Sequence, residues 1–205
     1  MQVEFIDKMG TDLTIVNAAR VSFNKRKEVL DMSDEKLIKY LATHEHWTPF
    51  AHCFLSLRVK APIFVARQLA KHQVGLVWNE VSRRYVENEP EFYVPDVWRK
   101  RSKSNKQGSI DESAGSVDIT SVLDDIKQMY NDLLAIGVAP EQARMILPAC
   151  TYTEWYWSGS LVAFARVCKL RLSDDTQKET RQIAAMIDKI ARQNFPLGWG
   201  ALNGN

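Results

Sequence analysis

The sequence predicts an α/β domain in which a twisted mixed sheet is flanked by helices, and three observations carry that prediction. Across residues 53–60 the apolar Leu55, Leu57 and Val59 alternate with Ser56, Arg58 and Lys60, a period of two that turns one face of a strand toward a core. Residues 151–157 are β-branched and aromatic, the composition of a second strand. Around these lie stretches whose apolar residues recur every three or four positions, as amphipathic helices require.

In chain order, residues 3–7 alternate apolar and polar side chains and read as a short strand closed by Met9 and Gly10. Asp12 can cap the helix that follows, with Leu13, Val16, Ala18 and Ala19 as its stripe, and Ser33 opens the next, with Leu37, Ile38 and Leu41 inside. Pro62 ends the strand at 53–60 and suits the first turn of a helix, where its missing N–H costs nothing. Ile63, Ala66, Leu69 and Ala70 form the buried side of that helix, which leaves Arg67, Gln68, Lys71 and His72 together on the other. Residues 98–117 are rich in Ser, Gly and Lys with almost no apolar anchor, so 99–117 reads as a mobile polar loop inserted into the domain. Helical periodicity resumes over 118–136, stops at Gly137, restarts at Pro140 through Ile146, and returns over 161–170 and 176–195. No internal repeat divides the chain, and one domain is expected over 1–205.

Composition narrows the function classes. The chain has 205 residues, and Lys+Arg 27 against Asp+Glu 25 leaves a formal charge of +2, too balanced for a protein that coats nucleic acid or an anionic membrane. Any anion site must be local. A chain of this size buries roughly 70% of its unfolded surface and needs no metal or disulfide to hold a core. Cys53, Cys150 and Cys168 are odd in number and form no C-x-x-C pair, which points to the cytosol and away from a zinc ribbon. No run approaches the ~18 apolar residues of a membrane span, and the first residues lack the layout of a signal peptide, so a cytoplasmic protein with no membrane and no nucleic-acid partner is expected.

The densest polar segment runs from Arg67 to Tyr85. It offers Gln68, Lys71 and His72, a turn through Gly75, and then Glu80, Ser82, Arg83 and Arg84, a donor set suited to a planar anionic ligand such as a nucleotide. On composition alone, a solvated helix face and an Arg-rich edge strand account for it equally well.

Spacing separates the two. Lys71-His72-Gln73 followed after eight residues by Ser82 resembles the signature of the flavin-dependent thymidylate synthases, a His between basic residues with a Ser downstream. The resemblance extends to His46-Trp47-Thr48-Pro49-Phe50-Ala51-His52, to residues 59–68, to Asn79-Glu80-Val81-Ser82-Arg83-Arg84-Tyr85, to Ala143-Arg144-Met145-Ile146-Leu147-Pro148 and to Leu170-Arg171-Leu172. Two departures stand out. The family usually carries Arg on both sides of the signature His, where this chain has Lys71 and Gln73, and it usually has Asn and Arg where this chain has Ser160, Val162 and Arg166.

The resemblance implies methylation of dUMP at C5 to give dTMP, with methylenetetrahydrofolate as carbon donor, NADPH as reductant and FAD as cofactor, in a homotetramer with ligands at subunit interfaces. It implies that Arg171 meets the O2/N3 edge of the pyrimidine and that His46 lies near flavin and folate. Thr48, Lys71, His72, Gln73, Glu80 and Arg166 match cofactor-contacting positions. Gln68, Lys71, Glu80, Val81, Ser82 and Arg83 belong by the same comparison to the nucleotide site, with Arg84 and Arg144 on the phosphate. No cysteine is required to attack the base.

Other readings compete for single residues. His44, His46 and His52 fit no zinc spacing, so no metal is expected. The three cysteines read as small core residues, and Trp155, Tyr156 and Trp157 as a packed strand rather than a stacking platform. The basic run Arg99-Lys100-Arg101 with Lys103 and Lys106 reads as a solvated loop, with capture of NADPH or polyglutamylated folate as its functional alternative. The rival to an enzyme is a non-catalytic nucleotide or nucleic-acid binding module.

Overall fold

The computed structural model describes residues 1–86, 88–103 and 108–204. Its centre is a four-stranded sheet in the order β1 (Gln2–Met9), β2 (Phe54–Pro62), β6 (Tyr152–Ser160), β3 (Leu76–Glu80). Every neighbouring pair is antiparallel, which corrects the expected mixed sheet. The alternation read in β2 decides which face is buried: Leu55, Leu57, Val59 and Ala61 are fully enclosed, opposite Gly159, Trp157, Trp155 and Thr153 of β6. Trp155 and Trp157 are core residues, as expected, each contributing on the order of 1.5–3 kcal/mol or more by burial. The reverse face carries Phe54, Tyr156 and Val77, all exposed.

Against the buried face pack α1 (Asp12–Arg20), α6 (Leu161–Arg171), α7 (Lys178–Asn194) and α8 (Pro196–Asn203), whose Ile15, Phe164, Ile183 and Trp199 join the strand residues in one core. Asp12 does not cap its own helix. Thr11 does, while the buried Asp12 carboxylate accepts from the backbone N–H groups of Leu197 and Gly198 at 3.0 and 2.9 Å, capping α8 from the other end of the sequence. Helix α8 was not anticipated, because Gly198 and Gly200 disfavour helix; Gly198 is there because a Cβ would come within 2.4 Å of Ile15. Likewise α2 (Met32–Thr43) is capped by Asp31, which accepts from the N–H groups of Ser33 and Asp34, rather than by Ser33.

Two further expectations change. Helix α3 (Ile63–Leu69) is only 7 residues long, so Lys71 and His72 follow its end instead of sharing its face. Within 99–117 the chain forms a two-stranded antiparallel ribbon of β4 (Arg99–Arg101) and β5 (Ser109–Ser113), not an unanchored loop. Polar contacts anchor it. Arg99 pairs with the buried Glu179 of α7 at 2.8 Å, and Lys178 with Asp111 at 2.6 Å. Lys100 is paired with Glu112, so Arg99 and Lys100 are engaged within the protein; Lys106 lies outside the described residues. Helix α4 (Thr120–Ala135) and the short α5 (Pro140–Ala143), with Pro140 in its first turn, then lead to a 3-10 turn at Arg144–Ile146.

Candidate active site

The edge strand β3 was not separated from the polar segment by sequence, and it is what positions that segment. Leu76 and Trp78 face the core and Trp78 stacks on Trp155, with ring centroids 4.2 Å apart. Glu80 follows on the same face, and both of its carboxylate oxygens are held: Thr153 Oγ1 donates at 2.7 Å and Trp78 Nε1 at 3.1 Å. The Val81 N–H donates to the Glu154 carbonyl at 2.9 Å, which carries the β6 register one residue beyond the strand. A tight turn follows, in which Ser82 Oγ accepts from Arg84 Nε at 3.3 Å and the Ser82 carbonyl from the Tyr85 N–H.

These residues border an open cleft of about 400 Å³, lined among others by Glu80, Val81, Arg83, Arg144, Arg58 and Lys60. Its charges are of two kinds. Arg58 is paired with Glu154 at 2.6 Å and Lys60 with Glu91 at 2.7 Å. Arg83 donates to the Asn88 carbonyl and lies over the Tyr130 ring, and Arg144 donates only to the Glu141 carbonyl. Among the described residues, no carboxylate offsets the charge of Arg83, Arg84 or Arg144.

A second group joins the end of α3 to the end of α6. Arg171, the last residue of α6, donates from Nε to Nε2 of His72 at 2.9 Å. Burial, and then the positive charge of Arg171, pull the His72 imidazole below its ordinary pKa; burial alone pulls the Arg171 guanidinium down. Nearby in sequence, Gln68 holds a buried Oε1 with no hydrogen-bond partner among the described residues. Gly75, at φ +76°, brings its carbonyl to the Ser160 N–H at 3.1 Å, and a Cβ at Gly159 would sit 2.3 Å from the Gly75 oxygen, so this turn and β6 meet backbone to backbone.

A third group lies at the 3-10 turn Thr48–His52. Arg166 stacks over Trp47, 5.9 Å from the ring centre, and the two border a smaller cleft of about 280 Å³ with Lys169 and Asn203. His46 and Thr48 are exposed beside it, and the edge of Tyr40 packs on the His46 ring. Lys71 and Gln73 are exposed, and neither Lys71 nor Arg166 makes an ion pair among the described residues. The structure thus brings Arg171 to His72, Arg166 to Trp47 and Thr153 to Glu80, and Lys71 and Gln73 flank His72 in the chain.

The thiols offer no nucleophile. Burial pushes Cys53 up to about 12, with Asp12 adding to it, and burial also raises Cys168 and Cys150. Residues that sequence reasoning missed are those that hold others: Thr153 and Trp78 on Glu80, and Arg58, Lys60 and Glu91 as the paired charges of the first cleft. Only the alternation of β6 could have pointed to Thr153.

Comparison with known proteins adds independent findings. The model of the family described as thymidylate synthase complementing protein matches residues 4–197. A flavin-dependent thymidylate synthase of Thermus thermophilus is 42% identical over 203 residues, covering 97% of this chain and 74% of the relative. One from Thermosipho africanus is 40% identical over 200 residues, covering 95% and 87%. Among solved structures, the UMP/dUMP methylase PolB from Streptomyces cacaoi bound with 5-Br dUMP is similar at a TM-score of 0.85 and 32% identity, over 98% of this chain and 93% of that one. With 5-Br UMP bound, the same methylase superposes at 0.83. The chain belongs to the flavin-dependent thymidylate synthase family.

Proposed function

We propose that the protein converts dUMP to dTMP, with methylenetetrahydrofolate as carbon donor, NADPH as reductant and FAD as bound cofactor. The observation that carries the nucleotide reading is the first cleft: Arg58 and Lys60 are neutralised within the protein, while Arg83 and Arg144 stand without a carboxylate among the described residues. A phosphate monoester is the partner that such guanidiniums take, often through two parallel hydrogen bonds. The lone buried Oε1 of Gln68 asks for a donor, which the N–H of a pyrimidine provides. The exposed Lys71 and Arg166, without an ion pair among the described residues, fit with the polar Thr48 and Gln73 an anionic cofactor such as FAD. With His72 and Glu80 they are the residues that would hold it. The carbon donor and reductant rest on the resemblance alone.

Bound FAD supplies the hydride chemistry. The chain's own residues bind and polarise. Arg84 and Arg144 hold the phosphate with Arg83 beside them, Val81 and Ser82 belong to the nucleotide site, and Arg171 sets a fixed guanidinium against the O2/N3 edge, where it stabilises negative charge developing on the ring without reorganising. His46 orients the pterin or passes a proton beside it. Because the resemblance implies ligands at subunit interfaces, and because Phe54, Val77 and Tyr156 leave an apolar sheet face exposed, we place the complete site between subunits of a homotetramer.

The direct test is incubation with FAD, NADPH, methylenetetrahydrofolate and dUMP, followed by chromatography for dTMP. Formation of dTMP that requires all four supports the reading; tight dUMP binding without dTMP overturns it in favour of a binding module. Light scattering that shows a stable, fully active monomer overturns the shared site.

A further inference from the structure

A half-buried guanidinium usually rests against a carboxylate, as Arg20 does on Asp34 and Arg99 on Glu179. Arg171 rests on an imidazole instead. The choice has a chemical consequence. A carboxylate would fix the side chain but cancel its charge, whereas a neutral imidazole fixes it and leaves the charge whole. The contact is made at Nε, which leaves both terminal amino groups of Arg171 for another acceptor.

We infer that His72 is a positioning residue for Arg171: its unprotonated Nε2 takes the Arg171 Nε–H and aims the two terminal amino groups at the pyrimidine. The inference rests on the reading above that Arg171 meets the base. Geometry anchors both partners. The backbone N–H of His72 donates to the Leu69 carbonyl at 3.0 Å, fixing the main chain just past α3, and Arg171 closes α6, 99 residues further along. An acceptor at Nε2 requires the proton to sit on Nδ1, and a protonated ring would set a second cation against the guanidinium. The displaced imidazole pKa, lowered by burial and by Arg171, agrees with a neutral ring at pH 7.

The experiment compares His72→Asn, which keeps an acceptor, with His72→Leu, which does not, in the FAD-loaded enzyme at saturating FAD. With His72→Leu the expected loss in kcat for dTMP formation is about 100-fold, the scale on which a misplaced catalytic group acts. FAD reduction by NADPH, read at the same saturating FAD, should fall far less than dTMP formation. His72→Asn should recover most of the loss, and in an Arg171→Ala background His72→Leu should add almost nothing, since the two act as one unit. Equal losses for Asn and Leu, or a loss that excess FAD cures, overturns the inference and leaves His72 as a flavin contact only. Histidine-selective 15N NMR of the wild type tests it even if His72→Leu fails to fold. Among the four histidines, one should show an unprotonated Nε2 at pH 7 whose resonance moves in Arg171→Ala; a doubly protonated His72 overturns the proposal. Absence of dTMP from the wild type would instead overturn the function, and the NMR result would stand apart from it.

Discussion

Around Asp34 two cations converge on one buried carboxylate, Arg20 at 2.8 Å and Lys27 at 2.5 Å; beyond β3, at the 3-10 turn Arg144–Ile146 and along α6, Arg83, Arg84, Arg144, Arg166 and Arg171 stand without one among the described residues. Both regions are rich in charge, and composition alone does not distinguish them. The first has settled its electrostatics inside the fold. Burial pushes the Asp34 carboxyl up, but hydrogen bonds from Lys27, the Asp31 backbone and Arg20 outweigh it and hold the group below its ordinary value. The second region has left its electrostatics for a ligand to complete. A guanidinium paired within the chain is part of the structure; one held by a carbonyl, a ring or an imidazole is oriented with its charge intact.

The contrast is most easily broken at Asp34. Asp34→Ala strands Arg20, leaves Lys27 with Asp31 alone, and should cost about 3–5 kcal/mol, read from urea unfolding, with turnover of the folded fraction unchanged. Arg171→Ala should do the reverse. A loss of about 10²–10³ in kcat for dTMP formation is expected, with stability altered by no more than about 0.5 kcal/mol and FAD reduction by NADPH retained. Arg171→Lys should restore little, because a point charge lacks the planar fork. If Arg171→Ala unfolds as readily as Asp34→Ala, the distinction between the two regions fails.

Gln73→Arg sharpens the comparison by adding a cation to the unpaired region. A charged donor in place of a neutral one adds a hydrogen bond of about 1.5–3 kcal/mol, so FAD should bind roughly ten- to a hundredfold tighter in a fluorescence titration and survive a high-salt wash. An unchanged affinity would show that the flavin site does not use this position. The smallest effect expected is on pH dependence. Burial raises the Glu179 carboxyl, but the hydrogen bond and charge of Arg99 overcome this, and the folded-state value is lowered. A carboxyl with a depressed folded value contributes stability that is complete above its ordinary, unfolded value of about 4.3 and is lost as pH falls through the folded one. Acid unfolding of Glu179→Gln should therefore be less steep below that value than that of the wild type.

The fold was legible where burial imposes a period. Leu55, Leu57 and Val59 alternate because one face of β2 is wholly enclosed, and the stripes of α1 and α2 follow for the same reason. It was illegible where burial is slight or shared. The ribbon β4–β5 has no period because its residues face solvent and its anchor, Arg99 on Glu179, spans 80 positions. Strand β3 offers only Leu76 and Trp78 to the core. The sheet's strand directions follow from tertiary pairing, so the expectation of a mixed sheet had nothing local to correct it. For the site, the run from Arg67 to Tyr85 was visible as a cluster of donors. The meeting of His72 with Arg171 was not, since neither helix end carries any mark of the other.

The Asp12 carboxylate accepts from the backbone N–H groups of Leu197 and Gly198, 185 and 186 residues further along the chain. During synthesis, at about 5–20 residues per second, the carboxylate therefore waits roughly 10–40 s for its partners to be made. Through that interval Ile15 lacks the helix that covers it and Trp199 has not yet entered the core. The nascent chain thus carries an unfinished apolar surface until α8 has been made, and its demand on chaperones should rise with any slowing of translation between the codons for α1 and those for α8.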